Sequence, residues 1–311
     1  MKPITIHRKP MISLKQLTYA LAVEKHLHFK RAAEACSVSQ SALSTALNEL
    51  EKQLGFQIFE RDNKKVLVTP IGQQVLDKAQ KITLQLDDLV KLADTQRSEL
   101  SYPMSIGIIP TIAPFLLPIV LPTLTEHYPN LELKIVEEQS HELVDKVRRG
   151  EIDTAILALP YRCDGLLSFE FWQEDFYWIT HSDEMKASCT EITANELEQS
   201  KLMLLQDGHC LKDHALSACN IPSDAQHSLS ATSLNTLIQL VAGKFGSTLV
   251  PEMALEQLIE PNSSLSKARL AESGPHRTLA FVVRPNYAGV NNIELLMAHF
   301  KSALKGKFQN T

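Results

Sequence analysis

Two cysteines, Cys210 and Cys219, stand nine positions apart in a stretch rich in groups that can stabilise a thiolate. His209 precedes the first cysteine, and Lys212 and His214 follow it within about one helical turn. The thiolate, rather than the thiol, attacks peroxides and disulfides, and nearby cations lower the pKa of a cysteine. These neighbours therefore predict a reactive thiol at Cys210.

The segment that joins the two cysteines has the pattern of a helix, because Leu211, Ala215 and Ala218 recur at helical spacing with polar residues between them. In a continuous helix, a rise of about 1.5 Å per residue would hold the cysteines roughly 13 Å apart. A disulfide needs Cα atoms closer than about 7 Å. Joining these cysteines therefore requires the helix to unwind, which predicts a redox switch.

Two other interpretations of these cysteines remain open. Free cysteines are often buried as small apolar side chains, so the pair could be inert. A zinc site could also be built from Cys210, Cys219, His209 and His214, although the chain has no C-x2-C pair there. No role is predicted for the other three cysteines, Cys36, Cys163 and Cys189.

Composition bounds the class of protein. The 311 residues are 44% hydrophobic and 22% charged, as in an ordinary soluble protein of two or three domains. No apolar run approaches the roughly 18 residues of a membrane span, and no signal peptide is evident. We therefore expect a cytoplasmic protein without a membrane partner, in a reducing compartment where disulfides are transient or sensory. No cofactor is predicted.

Charge is unevenly distributed along the chain. Residues 1–70 hold 11 Lys and Arg against 6 Asp and Glu, whereas the remainder holds 20 against 30. A basic amino-terminal module joined to an acidic body indicates that only the first part contacts nucleic acid.

The amino-terminal module has the pattern of a winged helix-turn-helix. Ser13 caps a first helix, residues 30–35 form a short second helix, and Ser39 caps a third helix that ends at Gly55. Residues 56–69 then predict two short strands, a wing. Residues 1–10 would be a disordered arm before a DNA-binding domain at 11–70.

The module resembles the winged helix of the LysR-type transcriptional regulators. The matching residues are Phe29, Ala32, Ala33, Val38, Ser39, Gln40, Ser44, Leu50, Glu51, Leu54, Gly55, Phe59, Arg61, Thr69 and Gly72. Ser41 departs from the pattern, since the family commonly has proline there. The resemblance implies a regulator of transcription that binds double-stranded DNA and is not an enzyme.

In such a module the third helix enters the major groove with its amino-terminal residues nearest the base edges. The residues predicted on that face are Ser39, Gln40, Ser44, Thr45 and Asn48. Phosphates, which give affinity without sequence information, would be met by Lys30, Arg31, Arg61, Lys64 and Lys65.

Residues 71–98 are predicted to form a linker and dimerisation helix. Its apolar positions alternate in steps of four and three, as in a heptad seam: Ile71, Val75, Ala79, Ile82, Leu86, Leu89 and Ala93. A helix with one narrow apolar stripe needs a partner, and two winged helices held by it would read a near-palindromic site.

Residues 99–311 are predicted to form an α/β effector domain, so that the fold class is α/β with an all-α, winged-helix amino-terminal domain. Residues 104–159 show a strand–helix order typical of parallel strands, with a helix opening at Thr111, and a second, similar α/β half follows. Subdomain I would span about 103–173 and 279–311, and subdomain II about 174–278. A cleft between such halves is where open α/β sheets bind ligands.

The body also resembles the effector domain of the LysR family, which is similar to periplasmic binding proteins. The segments 107–111, 157–159, 202–204, 207–211, 231–234 and 277–278 resemble the hydrogen-peroxide-sensing members of that family. This resemblance implies that Cys210 is the peroxidatic cysteine and Cys219 the resolving one. It also implies a peroxide pocket formed by Thr111, Ser140, His209, Asp213 and Arg277.

The functional expectation is a peroxide-responsive regulator in which Cys210 becomes a sulfenic acid and then a disulfide with Cys219. The resemblance further implies a tetramer that rearranges on DNA, works with RNA polymerase and activates antioxidant genes. Two alternatives remain: a regulator that senses a small organic ligand in the cleft while its cysteines are passive, and a thiol peroxidase.

Overall fold

The computed structural model describes residues 11–62, 65–95, 100, 103–185, 190–198, 200–219 and 229–308. The chain divides into two compact units, one ending at Val90 and the other beginning at Lys91. No helix among the described residues is long and apolar enough to cross a membrane. The predicted arm at 1–10 lies outside the described residues.

The first unit is the predicted winged helix-turn-helix. Its elements are α1 (Leu14–His26), α2 (Phe29–Ala35), α3 (Gln40–Leu54), the antiparallel strands β1 (Phe59–Asp62) and β2 (Lys65–Val68), and the part of α4 (Pro70–Thr95) up to Val90. Ser13 forms a capping box with Gln16, and the Ser39 hydroxyl accepts from the Ala42 N–H at 3.2 Å. Gly55 ends α3 in the left-handed conformation at φ 83°, which glycine adopts without strain.

A buried carboxylate ties α3 to the wing. Leu43, Leu47 and Leu50 fill the core of the first unit. Glu51, directly after Leu50, is also buried, and its Oε1 accepts from the N–H groups of Ile58 at 2.8 Å and Phe59 at 3.1 Å. The loop into β1 therefore depends on Glu51 for its hydrogen bonds.

The apolar positions of α4 do not form one continuous seam, so this part of the prediction is wrong. Ala79 is buried in the core of the first unit together with Leu76, a position that the heptad count did not include. Ile82, Leu86 and Leu89 are 48%, 40% and 63% exposed. Ile71 on the first turn is also 42% exposed. The exposed apolar positions among the described side chains are therefore interrupted at Val75 and Ala79, which pack against the winged helix.

Subdomain I of the second unit contains the predicted parallel strands. Its elements are β3 (Met104–Ile108), α5 (Ala113–His127), β4 (Leu133–Glu137), α6 (Ser140–Arg149), β5 (Thr154–Leu159), β6 (Leu167–Glu174), β13 (Arg277–Val283) and α11 (Val290–Phe308). The sheet order is β4-β3-β5-β13-β6, in which β3 is parallel to β4 and β5, while β13 is antiparallel to β5 and β6.

Subdomain II is not the similar α/β half that the sequence predicted. Its strands β7 (Phe176–His181), β8 (Glu191–Ile192), β11 (Thr248–Pro251) and β12 (Leu265–Leu270) form a sheet of order β11-β7-β12-β8. Strand β7 is antiparallel to both neighbours, and only β12 and β8 run parallel. Strands β8 and β12 escaped the sequence analysis because one is two residues long and the other alternates with Ser, Lys and Arg.

The remaining elements of subdomain II surround this sheet. They are α7 (Ala194–Glu198), β9 (Leu204–Leu205), α8 (Cys210–Ala218), β10 (Ser230–Ala231), α9 (Leu234–Ala242) and α10 (Leu255–Leu258), with β9 parallel to β10. The chain crosses between the subdomains twice, through Asp175 after β6 and through residues 271–276 before β13. Strand register places Arg277 opposite Glu174 at this crossing.

Replacing Glu51 tests the link between α3 and the wing. Glu51→Ala leaves two buried N–H groups without an acceptor, so we expect the free energy of unfolding of the full chain to fall by about 2–4 kcal/mol in urea denaturation. Glu49→Ala, an exposed change on the same helix, is the control and should lie within about 0.5 kcal/mol of the parent. Equal stability of the two variants would show that the wing does not depend on Glu51.

Candidate functional site

An unbroken helix separates the two cysteines, as the sequence predicted. Helix α8 begins at Cys210 and ends at Ala218, and Cys219 is its C-cap residue, with its N–H donating to the Ala215 carbonyl at 3.3 Å. Both thiols are free and buried, with 4% of Cys210 and 2% of Cys219 exposed. Nine helical steps correspond to about 13 Å, which is beyond the reach of a disulfide.

A single glycine controls how the chain enters α8. Gly208 has φ 96°, and a Cβ at this position would lie 2.4 Å from the Gln139 side-chain oxygen. Gln139 is the N-cap residue of α6, and Ser140 is the first residue of that helix. The turn before Cys210 therefore lies against the Gln139 side chain at the start of α6, and its positive φ is a conformation that glycine adopts without strain.

Burial dominates the protonation of the Cys210 thiol and raises its pKa. Three groups act in the opposite direction: the Ser140 hydroxyl, the Arg277 guanidinium and the backbone at Ala158. The Ser140 hydroxyl is itself buried and has no hydrogen-bond partner of standard geometry among the residues that the structure describes. The thiol is thus held neutral at rest, beside groups that favour its ionised form.

The cations adjacent to Cys210 in sequence do not stabilise its thiolate, and this prediction is wrong. Lys212 Nζ pairs with the exposed Asp207 carboxylate at 2.6 Å. His214 Nε2 contacts the Pro160 carbonyl oxygen at 3.0 Å, and burial lowers the pKa of both His209 and His214. The cation that lowers the Cys210 pKa is instead Arg277, which is distant in sequence.

Arg277 is fully buried and lies where the chain passes between the two subdomains. Its Nε donates to Glu174 Oε1 at 2.7 Å, its Nη2 lies 2.6 Å from the same oxygen, and neither side chain is exposed. On its other side, Nη2 donates to the Thr111 carbonyl at 3.3 Å and Nη1 approaches Thr111 Oγ1 at 3.5 Å. Glu174 Oε2 also accepts from the Met253 N–H at 3.0 Å.

Sequence reasoning missed Glu174 altogether. Strand β6 was not predicted, and only the pairing of β6 with β13 shows that Glu174 stands opposite Arg277. An acidic residue at the end of the strand LSFEFWQE was the one available signal, but a strand of alternating exposure carries acidic residues on its solvent face as well. Without strand register, the partner of a buried arginine cannot be identified.

The structure brings only some of the predicted pocket residues together. Thr111, Ser140 and His209 are all buried. Helix α5 begins at Ala113 with Ile112 as its N-cap, so Thr111 is not the helix-opening residue that was predicted but lies in the preceding turn. Asp213 lies on the first turn of α8 with an exposed side chain, and its charge raises the Cys210 pKa.

The other cysteines and the zinc alternative find no support in this geometry. Cys210 and Cys219 stand at opposite ends of α8, and no three His, Cys, Asp or Glu side chains in the described part of the chain form a metal-binding group. Cys36 and Cys163 are half-buried, and burial raises the pKa of each thiol. Cys189 lies outside the described residues.

A second candidate site is the nucleic-acid interface of the first unit. At the start of α3 the side chains of Ser39, Gln40, Thr45 and Asn48 are exposed and that of Ser44 is half-buried; Lys30, Arg31 and Lys65 are exposed as well. His28 caps α2 through Nδ1, which accepts from the N–H groups of Lys30 at 3.2 Å and Arg31 at 3.5 Å. The Arg61 side chain and all of Lys64 lie outside the described part.

Comparisons with known proteins agree with this architecture. Residues 14–73 match the bacterial regulatory helix-turn-helix model of the LysR family, and residues 97–305 match the LysR substrate binding domain. A probable hydrogen peroxide-inducible genes activator of Streptomyces viridosporus is 35% identical over 96% of both chains. The regulator EstR of Acinetobacter baylyi is 38% identical over 88% of this chain and 90% of its own.

Solved structures of OxyR proteins are similar to this chain as well. A full-length OxyR variant from Pseudomonas aeruginosa has a TM-score of 0.76 and 32% identity, covering 93% of this chain and 98% of its own. A hydrogen-peroxide-bound OxyR mutant of Corynebacterium glutamicum has a TM-score of 0.66 and 34% identity, covering 96% of this chain and 94% of its own. With both family models matched and the helix-turn-helix unit intact, the chain belongs to the LysR family of DNA-binding transcriptional regulators.

Proposed function

We propose that this protein is a peroxide-responsive transcription regulator in which Cys210 reacts with hydrogen peroxide and Cys219 resolves the product. The observation that carries this proposal is an intact helix with a buried thiol at each end, where one thiol lies beside Ser140 and Arg277. The names of its relatives, hydrogen peroxide-inducible activators and OxyR, support the same function.

In the first step the Cys210 sulfur attacks one peroxide oxygen, the O–O bond breaks, and the thiol proton leaves with the departing hydroxide as water. The products are a Cys210 sulfenic acid and one water molecule. The Ser140 hydroxyl, which has no partner of standard geometry in the described part of the chain, can donate to a peroxide oxygen. Arg277, held by Glu174 and Thr111, stabilises the negative charge that develops on the leaving oxygen. His209 and Asp213 are proposed to complete this pocket.

In the second step the Cys219 sulfur displaces hydroxide from the Cys210 sulfenic acid, giving a disulfide and a second water molecule. Burial and the Glu272 carboxylate raise the pKa of Cys219 to about 12. Cys219 is therefore protonated and unreactive while α8 is intact, and it becomes a nucleophile only when the helix unwinds and exposes it. The disulfide then prevents α8 from re-forming.

Unwinding of α8 would transmit the signal by repacking the surface that the helix covers. Leu211, Ala215 and Leu216 on α8 are buried in the core, so the loss of the helix removes three core side chains from their places. We propose that the exposed stripe of α4 pairs two chains, that the dimers form a tetramer, and that oxidation changes the spacing of its DNA contacts. Recruitment of RNA polymerase at antioxidant genes in the cytoplasm would follow.

Thiol counting with mass spectrometry tests the proposal. One equivalent of peroxide should remove two thiols per chain and yield a Cys210–Cys219 cross-linked peptide, together with an altered footprint on promoter DNA. Cys219→Ser should stop at a Cys210 sulfenic acid that dimedone traps, and Cys163→Ser is the control and should behave as the parent. Unchanged thiols, or a regulatory response that persists in Cys210→Ala, would reject the proposal in favour of a ligand sensor with passive cysteines.

A pair of cation variants tests which charge assists Cys210. Arg277→Lys keeps a positive charge, but one ammonium cannot hold both Glu174 and Thr111, so stopped-flow oxidation of Cys210 should slow by about tenfold or more. Lys212→Ala removes the cation nearest in sequence and should leave the rate unchanged within about twofold, because Lys212 is paired with Asp207. The reverse order of effects would contradict the assignment.

A further inference from the structure

Helix α8 carries a buried histidine that the proposed mechanism does not use. His214 lies about one turn after Cys210 along the helix. Its Nε2 lies 3.0 Å from the carbonyl oxygen of Pro160, the residue that directly follows β5 of subdomain I. This hydrogen bond therefore joins the helix between the two cysteines, which belongs to subdomain II, to the other subdomain.

The contact with Pro160 determines which nitrogen of the His214 ring carries the proton. A carbonyl oxygen can only accept, so Nε2 carries a hydrogen and donates it. The other nitrogen, Nδ1, is shielded from solvent and has no hydrogen-bond partner among the residues that the structure describes. Protonation of the ring would place a second N–H at Nδ1, buried and without an acceptor, which costs free energy. His214 is therefore neutral while α8 is packed.

The surroundings of His214 also disfavour a positive charge on its ring. Burial is the largest influence and lowers the pKa of His214, and the Arg277 guanidinium on β13 acts in the same direction. The carbonyl that the ring contacts and the Asp213 carboxylate on α8 raise the pKa, but they do not outweigh burial. Burial raises the pKa of Tyr161 and of Cys210, so both of these neighbours stay uncharged. Strand β9, which packs against α8, consists of two leucines and adds no charge.

We propose that the His214–Pro160 contact makes the redox switch sensitive to pH, because it holds α8 against subdomain I only while the ring is neutral. This inference rests on the proposed function, in which α8 unwinds so that Cys219 can reach Cys210. In the unwound segment His214 is hydrated, and its pKa returns to the ordinary histidine value of about 6.5. Below that pH the unwound state binds a proton that the helical state does not bind, so the helix loses stability relative to the unwound state as the pH falls. Acid therefore shifts the protein towards the disulfide form.

Equilibration of the full-length protein with glutathione and glutathione disulfide tests this inference. One glutathione disulfide oxidises Cys210 and Cys219 and releases two glutathione thiols, and mass spectrometry after alkylation gives the exchange constant. Nearly all thiols are protonated at about pH 7.5 and below, so the exchange itself does not depend on pH in this range. His214→Gln keeps an amide N–H for the Pro160 carbonyl but cannot be protonated. Between about pH 7.5 and 5.5 the exchange constant of the parent should rise about tenfold more than that of His214→Gln.

Two further variants complete the experiment. His141→Gln makes the same change at an exposed histidine of α6 and is the control, which should keep the parent's pH response. His214→Leu replaces His214→Gln if the glutamine variant melts at a lower temperature, and it should lose the response in the same way. His209, which is also buried, is present in every variant, so its contribution cancels in the comparison. A disulfide that forms with the same pH response in the parent and in the His214 variants would overturn this inference alone, whereas no Cys210–Cys219 disulfide in the parent would reject the proposed function itself.

Discussion

The proposed switch depends on one constraint. An ordered helix between two cysteines cannot coexist with a disulfide that joins them. Helix α8 holds Cys210 and Cys219 nine residues apart, and a disulfide between them cannot form while that helix exists. In the proposed mechanism, a disulfide between the two sulfur atoms therefore requires a change in backbone structure. Since the helix contributes buried side chains to the core of the second unit, this backbone change cannot remain local.

The Arg277–Glu174 pair links this chemistry to the junction of the subdomains. Glu174 ends β6 and Arg277 begins β13, so the ion pair lies where the chain crosses between the two sheets. Placing two charges in a fully buried position is costly, and the cost is offset only when their hydrogen bonds are well satisfied. Here Met253 and Thr111 supply the additional bonds, and the arrangement fixes a permanent positive group near a buried thiol.

Local signals located most helices and the more apolar strands, but they did not reveal β6, β8 and β12 or the contacts between distant segments. The caps Ser13, Ser39 and Gly55 marked the ends of α1 and α3 because capping depends on residues a few positions apart. The direction of Lys212, the partner of Arg277 and the antiparallel strands of subdomain II depend on packing between distant segments. The burial of Ala79 on α4 could not be predicted for the same reason. It results from packing against the core formed by α1 to α3, which the periodicity of α4 does not reveal.

Amide hydrogen exchange of α8 tests the central claim most directly. In the reduced full-length protein, the amides of residues 214–218 should be protected, because each donates within the helix. After stoichiometric oxidation by peroxide, the same amides should exchange at nearly unprotected rates, while those of α3 stay unchanged as an internal reference. Equal protection of α8 in the reduced and the disulfide-bonded protein would contradict the account.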